Sequence, residues 1–312
     1  MVTILDNDDE NRYRLSMMTR TILVCAAALV ALALAGCGGG KSQAGGPLRV
    51  VAAENFYGDI VRQIGGGHVD VTSILSDPNA DPHLFEPGSS AALAVAKAKL
   101  VIQNGVGYDA FISRLESASP SSGREVVTIA DVLGVRGADA NPHLWYDVPE
   151  LGRIAGAIAA GLERADPAHA ATYRAGLQRF TPSLRPLDAE VARIKQAFAG
   201  VPVAYTEPVP GYLLAAAGLR NLAPSSFTRA IENGTDPAPR DVAAFDELIR
   251  SHTIRALLYN DQAVSPVTAR MRDEAEKAGI PVVGVSETLP AHLTFQQWQL
   301  AQARALYRAL SA

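Results

Sequence analysis

From Pro47 onward the chain alternates short runs of aliphatic and β-branched residues with stretches whose apolar positions recur every three or four residues. "LRVVAA" precedes "FYGDIVRQIGG", "VDVTSIL" precedes "SSAALAVAKA", and "KLVIQN" precedes "YDAFISRLESA". Strands alternating with helices at this pitch predict βα units around a parallel sheet covered by helices on both faces, with ligands bound beyond the carboxyl ends of the strands. The alternation stops between Val148 and Ala199. There Asp147 can cap a helix with Pro149 and Glu150 in its first turn, and Asp166-Pro167 opens a longer helical stretch that Pro182 and Pro186 bend or interrupt. Strand and helix patterns return after Gly200 with "VPVAYTE", "GYLLAAAGL", "IRALLYND", "VTARMRDEAEKAG" and "IPVVGVSE", and a last helix runs through "TFQQWQLAQARALYRAL". The expected fold class is α/β: two Rossmann-like βα lobes with parallel sheets, residues 47–147 and 200–312, joined by a helical region at 148–199 that includes a long strut.

Before Pro47 the pattern is of another kind. Arg20 precedes an apolar run from Ile22 to Ala35 that ends in Leu34-Ala35-Gly36-Cys37. The run is too short to span a bilayer, which takes about 20 apolar residues, and predicts an export signal over residues 1–36. Leu-Ala-Gly-Cys resembles a bacterial lipobox, in which Cys37 becomes the lipidated first residue of the mature protein; the plainer alternative is a secretory signal with an incidental cysteine. The four acids within residues 1–16 are unusual ahead of such a signal, which makes Met17 or Met18 a candidate start. Residues 37–46 are Gly-rich and polar and predict a flexible tether.

Composition narrows the chemistry. Acidic and basic residues are scattered together to a net charge of −4, without the basic stripe that nucleic-acid binding requires. Of the two cysteines, Cys25 leaves with the signal and Cys37 would be acylated, so any metal must be held by nitrogen and oxygen.

Two stretches echo one another: "DPHLFEP" at 81–87 and "NPHLWYD" at 141–147. Each presents a histidine, His83 or His143, between a proline and a Leu-aromatic pair. The proline stiffens the turn and the apolar pair docks into the lobe, so both imidazoles are expected just past strands at one edge of the first sheet. The second lobe offers acids in matching frames: Glu207 follows "VPVAYT" and precedes Pro208, and Glu287 follows "IPVVGVS" and precedes Pro290. Asp261, in "LLYNDQ", is a third strand-end acid, read as a solvated or capping charge and kept as the alternative to Glu287. Two neutral imidazoles and two carboxylates would neutralise a divalent cation buried between lobes. His68, His169, His252 and His292 lack the repeated context and are read as surface or packing residues.

These motifs together resemble the cluster A-I solute-binding proteins of bacterial zinc and manganese ABC importers, over nearly all of the chain after Cys37. "DPHLFEP" and "NPHLWYD" are similar to that family's two histidine motifs, "YTEP" with "GYLLAAAGL" to its third-ligand segment, "IPVVGVSETL" to its fourth, and "DPAPRDVAAFDELI" to a segment with a structural role. The resemblance implies that His83, His143, Glu207 and Glu287 bind Zn2+ or Mn2+ as transported ligand in the cleft between lobes. It also implies a monomer held on the outer face of the cell membrane by the lipid on Cys37, which delivers the ion to an ABC permease. Zinc members often carry histidine where this chain has Glu207 and aspartate where it has Glu287, and the His-rich loop of some zinc importers is missing. Intrinsic affinity at an N2O2 site favours zinc, whereas bidentate carboxylates would suit manganese. Release is expected through modest lobe tilting and loop movement when the protein docks on its permease.

A secreted zinc hydrolase is the alternative from another class. It needs an open coordination position and a general base, and neither an HExxH helix nor a G-x-S-x-G elbow is present. A surface adhesin that keeps its metal for structure is compatible with the same sequence.

Overall fold

The computed structural model describes residues 46–78, 82, 85–137 and 139–312. The expected signal over 1–36, Cys37, nearly all of the tether and His83 lie outside the described residues. Pro47–Ala312 is one compact unit.

Among the described residues, strands β1 (Leu48–Glu54), β2 (Val69–Leu75), β3 (Leu100–Gln103) and β4 (Glu125–Thr128) form one sheet in the order β2-β1-β3-β4. Strands β5 (Pro202–Tyr205), β6 (Arg220–Asn221), β7 (Leu257–Asn260) and β8 (Val282–Val285) form another in the order β6-β5-β7-β8. Every pairing is parallel, and both lobes use the same strand order. The central strands explain why their sequences lack a clean alternation: from Val50 to Glu54 every residue of β1 is buried, as a strand covered by helices on both faces must be.

In the first lobe the strands are linked by α1 (Asn55–Gly65), α2 (Ser89–Lys97) and α3 (Ala110–Ala118), and α4 (Ile129–Leu133) follows β4. In the second they are linked by α8 (Gly211–Ala216), α9 (Ser225–Glu232), α10 (Pro239–Arg250) and α11 (Pro266–Lys277), with α12 (Phe295–Ser311) after β8. The hydrophobic pattern had not singled out β4 with α4, the two-residue β6, or α9. These elements are too short for periodicity to register.

The helical stretch between lobes has two different parts. A 3-10 turn at Val148–Glu150 leads into α5 (Leu151–Ala165), whose buried Ile154, Ile158 and Leu162 cover the first sheet beside β3 and β4. Asp147 caps this start through its carbonyl, which accepts from Glu150 N at 2.9 Å, and not through its side chain. The strut is α6 (Ala170–Ser183) followed by α7 (Arg185–Phe198), with Leu184 still in helical conformation between them. Pro186 falls in the first turn of α7, where a missing N–H leaves no helical bond unmade. α6 packs on α1 and α5, and α7 packs on α12, so the strut ties one lobe to the other. A single cluster of buried apolar side chains runs from Val50 and Ile102 through Trp145 and Leu151 to Leu213 and Trp298. The lobes share a core.

Candidate metal centre

Glu207 and Glu287 each stand two residues beyond a strand, β5 and β8, and these strands flank β7. Parallel neighbours end at the same level, so both carboxylates come out at the carboxyl edge of the second sheet, pointing toward the first. Both are buried, Glu207 at 1% exposure and Glu287 at 0%. Asp261 also follows a strand, but the alternating direction of side chains turns it the other way: it is exposed and lies against Gly284. Partial desolvation of the carboxyl end against the strand edge, opposed by nearby Arg272, raises its pKa above the ordinary range although the residue as a whole is exposed.

His143 comes from the first lobe and is completely buried. It is not just past a strand as expected, because α4 and a loop intervene after β4, and the segment from Leu144 to Tyr146 is a 3-10 turn. Its placement comes from packing. Leu144 and Trp145 are wholly buried, and the Trp145 ring lies 4.3 Å from Phe56, 4.8 Å from Tyr108 and 5.2 Å from the His143 ring, centroid to centroid. Docking of the Leu-aromatic pair into the lobe therefore occurs here. At the other motif, Phe85 packs edge-on against Phe111 with centroids 5.2 Å apart.

The imidazole is aimed by Asn141. Its Oδ1 accepts from His143 N at 3.0 Å and lies 2.7 Å from His143 Nδ1, while its Nδ2 donates to Pro208 O at 2.8 Å. With its amide nitrogen used on Pro208, Asn141 presents its oxygen to the ring, so Nδ1 carries the proton. Nε2 is then directed at Glu287 Oε2, 3.2 Å away. Two acceptors facing one another require a shared cation, either a proton or a metal. Ligand atoms of a tetrahedral site with bonds of about 2.0 Å lie roughly 3.3 Å apart, close to the spacing observed.

The Glu287 carboxylate is held on several sides. Oε2 accepts from the Tyr108 hydroxyl at 3.0 Å and Oε1 from Asn260 Nδ2 at 2.7 Å. Asn260 Nδ2 also donates a short hydrogen bond to Glu207 Oε2. The backbone N–H groups of Glu287 and Thr288 both donate to Gln262 Oε1, at 2.5 and 3.0 Å. Asn55 pairs with both backbone groups of Leu289, at 2.8 and 2.9 Å, and the Tyr146 hydroxyl lies 2.7 Å from Ser286 O. These last contacts join the Glu287 loop to the first lobe, so the lobes cannot separate without breaking them.

Beneath the site lies strain and buried charge. Gly105, Val106 and Gly107 all have positive φ, and at Val106 (φ 46°) this is costly for a β-branched residue. The Asp109 carboxylate holds that turn by accepting from Asn104 N at 2.5 Å and Gly105 N at 2.9 Å, which sets Tyr108 toward Glu287. Burial, then the charge of Asp109, push the neighbouring Glu54 carboxyl well above its usual range. Burial, then Glu287, do the same to the Tyr108 hydroxyl, so it remains a donor.

A cavity of about 690 Å³ opens at the seam, lined by Tyr108, Asn141 and Arg114 from the first lobe and by Tyr205, Pro208 and Arg229 from the second. Among the described residues no group of three or more His, Cys, Asp or Glu side chains forms a ligand set. His143 and Glu287 are together, Glu207 is one amide away, and His83 lies outside the described residues. Sequence reading missed Asn141, Tyr108, Asn260 and Gln262. Only Asn141 carried a signal, as the first residue of the repeated motif.

Residues 50–309 match the family model described as zinc-uptake complex component A periplasmic, ZnuA. The manganese ABC transporter substrate-binding lipoprotein PsaA of Streptococcus anginosus is 26% identical over 274 residues, 81% of this chain and 85% of that protein. The manganese-binding lipoprotein MntA of Halalkalibacterium halodurans is 32% identical over 165 residues, 51% of this chain and just 55% of that protein. Among solved structures, the periplasmic zinc binding protein TroA from Treponema pallidum superposes with a TM-score of 0.73 at 20% identity, over 85% of this chain and 99% of that one. The match extends the two-lobed α/β architecture seen here to a solved relative, and with most of the chain covered by the family model, the chain belongs to the ZnuA family, zinc-uptake complex component A periplasmic.

Proposed function

We propose that this chain is the extracytoplasmic substrate-binding component of a divalent-metal ABC importer, capturing Zn2+ or Mn2+ with His83, His143, Glu207 and Glu287. The observation that carries this reading is the wholly buried pair of His143 Nε2 and Glu287 Oε2, 3.2 Å apart and brought from different lobes. Two carboxylates and two neutral imidazoles would balance a dication, so the closed site would bury no net charge. Four protein ligands would leave a tetrahedral ion no position for water, and the protein is accordingly a carrier without enzymatic activity. It acts as a monomer on the outer face of the cell membrane, held by a lipid on Cys37 through the tether, and hands its ion to the permease. Because the Glu287 loop is bonded to both lobes, release proceeds by local movement of that loop.

Both hydrophobic lobes and their shared core lie within Pro47–Ala312, so residues 38–312 serve for testing. The metal-stripped protein is titrated with Zn2+ and Mn2+. Wild type binds one ion; His83→Ala, His143→Ala, Glu207→Ala and Glu287→Ala each lose most of the affinity, and Asp261→Ala retains it. Binding undisturbed by His143→Ala or Glu287→Ala would refute the reading.

A further inference from the structure

Asn260 is the last residue of β7, the strand between those that deliver the two carboxylates. It is 1% exposed. Its amide is fixed end for end, because Oδ1 accepts from Gln262 N at 3.0 Å and so cannot exchange places with Nδ2. Its backbone is fixed too, with Asn260 N donating to Thr206 Oγ1 at 3.2 Å. The two hydrogens of Nδ2 diverge, and each meets a different carboxylate: one goes to Glu207 Oε2 and the other, at 2.7 Å, to Glu287 Oε1. An acid would add a third negative charge, and a hydroxyl has a single hydrogen to give.

We propose that Asn260 is a specificity-determining residue that holds one oxygen of each carboxylate away from the ion, so that the site offers four ligand atoms and selects zinc over manganese. The inference rests on the ligand set proposed above. Two imidazole nitrogens and one oxygen from each glutamate make the tetrahedral set that zinc prefers. If both glutamates could turn to bind through two oxygens, the same four residues would supply six atoms, a number that harder, oxygen-seeking cations such as Mn2+ accept more readily than zinc does. The remaining contacts of Glu287 oppose that turn: Tyr108 holds Oε2, and Gln262 holds the backbone N–H groups of Glu287 and Thr288. For Glu207 the amide of Asn260 plays the same part. The two N–H groups also reduce repulsion between the carboxylates while no ion is bound.

The test compares wild type with Asn260→Ala in residues 38–312, measuring dissociation constants for Zn2+ and for Mn2+ by competition with a chromophoric chelator. The expected result is a fall of about tenfold or more in the ratio of zinc to manganese affinity in the variant, through weaker zinc binding, stronger manganese binding or both. A ratio unchanged within about twofold overturns the inference. Zinc X-ray absorption of wild type provides a readout that does not depend on the variant folding. Four nitrogen and oxygen neighbours without the short metal-to-carboxyl-carbon distance of a bidentate group support the inference, and that short distance in wild type overturns it. Glu287→Ala separates the two levels. If wild type binds and Glu287→Ala does not, an unchanged ratio in Asn260→Ala sinks this inference alone; if wild type binds neither metal, the ligand set falls and this inference with it.

Discussion

Oδ1 of Asn141 lies 2.7 Å from Nδ1 of His143, and the opposite end of the same amide bonds to Pro208 O, next to Glu207. One side chain thus sets the tautomer of an imidazole in one lobe and spans to the segment that carries a carboxylate in the other. Groups that bond the distal nitrogen of a ligating histidine commonly contribute 10- to 100-fold to metal affinity.

Asn141→Ala is therefore expected to weaken zinc binding by roughly 10- to 100-fold without unfolding the protein. Chelator competition measures the affinity. Nitrogen-15 spectra of His143 would show the Nδ1–H tautomer in wild type and a mixture of tautomers in the variant.

Glu54 gives a pH dependence of stability with a defined sign. Burial, then Asp109, raise its carboxyl pKa well above the ordinary 4.5, so the folded chain keeps a proton that the unfolded chain releases. The stability linked to that proton is fully present below about pH 4.5 and is lost as pH rises toward the folded pKa, at about 1.4 kcal/mol per pH unit. Glutamine has the same shape and no proton to lose. Glu54→Gln should match wild type in thermal stability near pH 4 and exceed it by a margin that grows as pH rises above about 4.5 toward the folded pKa; a margin that does not change with pH would contradict this account.

Trp145 supports both the core and His143. Its ring is fully buried against Phe56 and Tyr108, and Trp145→Ala should cost about 3–5 kcal/mol in urea unfolding. Metal affinity should fall as well, because the His143 ring rests against the indole.

Gly176 marks the place where α6 meets α1 backbone to backbone. A Cβ there would lie 2.1 Å from Ile64 O, so Gly176→Ala must push the strut off the first lobe. The expected loss is about 1–3 kcal/mol, read from the shift of the denaturation midpoint.

Much of the architecture could be read from the residues because it is local. "LRVVAA" is strand β1 but for its last residue, "FYGDIVRQIGG" is α1 to within a residue at either end, and the long last helix follows from the recurrence of apolar Phe295, Trp298, Ala303, Leu306 and Leu310. β6 is only two residues long and is defined by its pairing with β5, a relation that no run of sequence contains. His143 shows the same limit: Pro-His-Leu-aromatic announced a rigid, docked histidine, but its place relative to a strand could not be inferred, since α4 comes between.

Within the site the division has the same origin. Glu207, Glu287 and Asp261 are all acids at strand ends, and along the chain only the prolines that follow the two glutamates set them apart from Asp261. Side-chain direction in the folded sheet turns Asp261 outward and the two glutamates inward. The sequence alone determined the kind of elements, the repeated histidine motif and the nitrogen and oxygen chemistry of the proposed donors, because propensity, pattern and residue type act over a few neighbouring positions. Tertiary structure alone brought Glu287 against His143 and decided which neutral residues, Asn141, Tyr108 and Asn260, hold the two and Glu207. Those partners lie far apart along the chain, and only the packing of both lobes around one core brings them within hydrogen-bond reach.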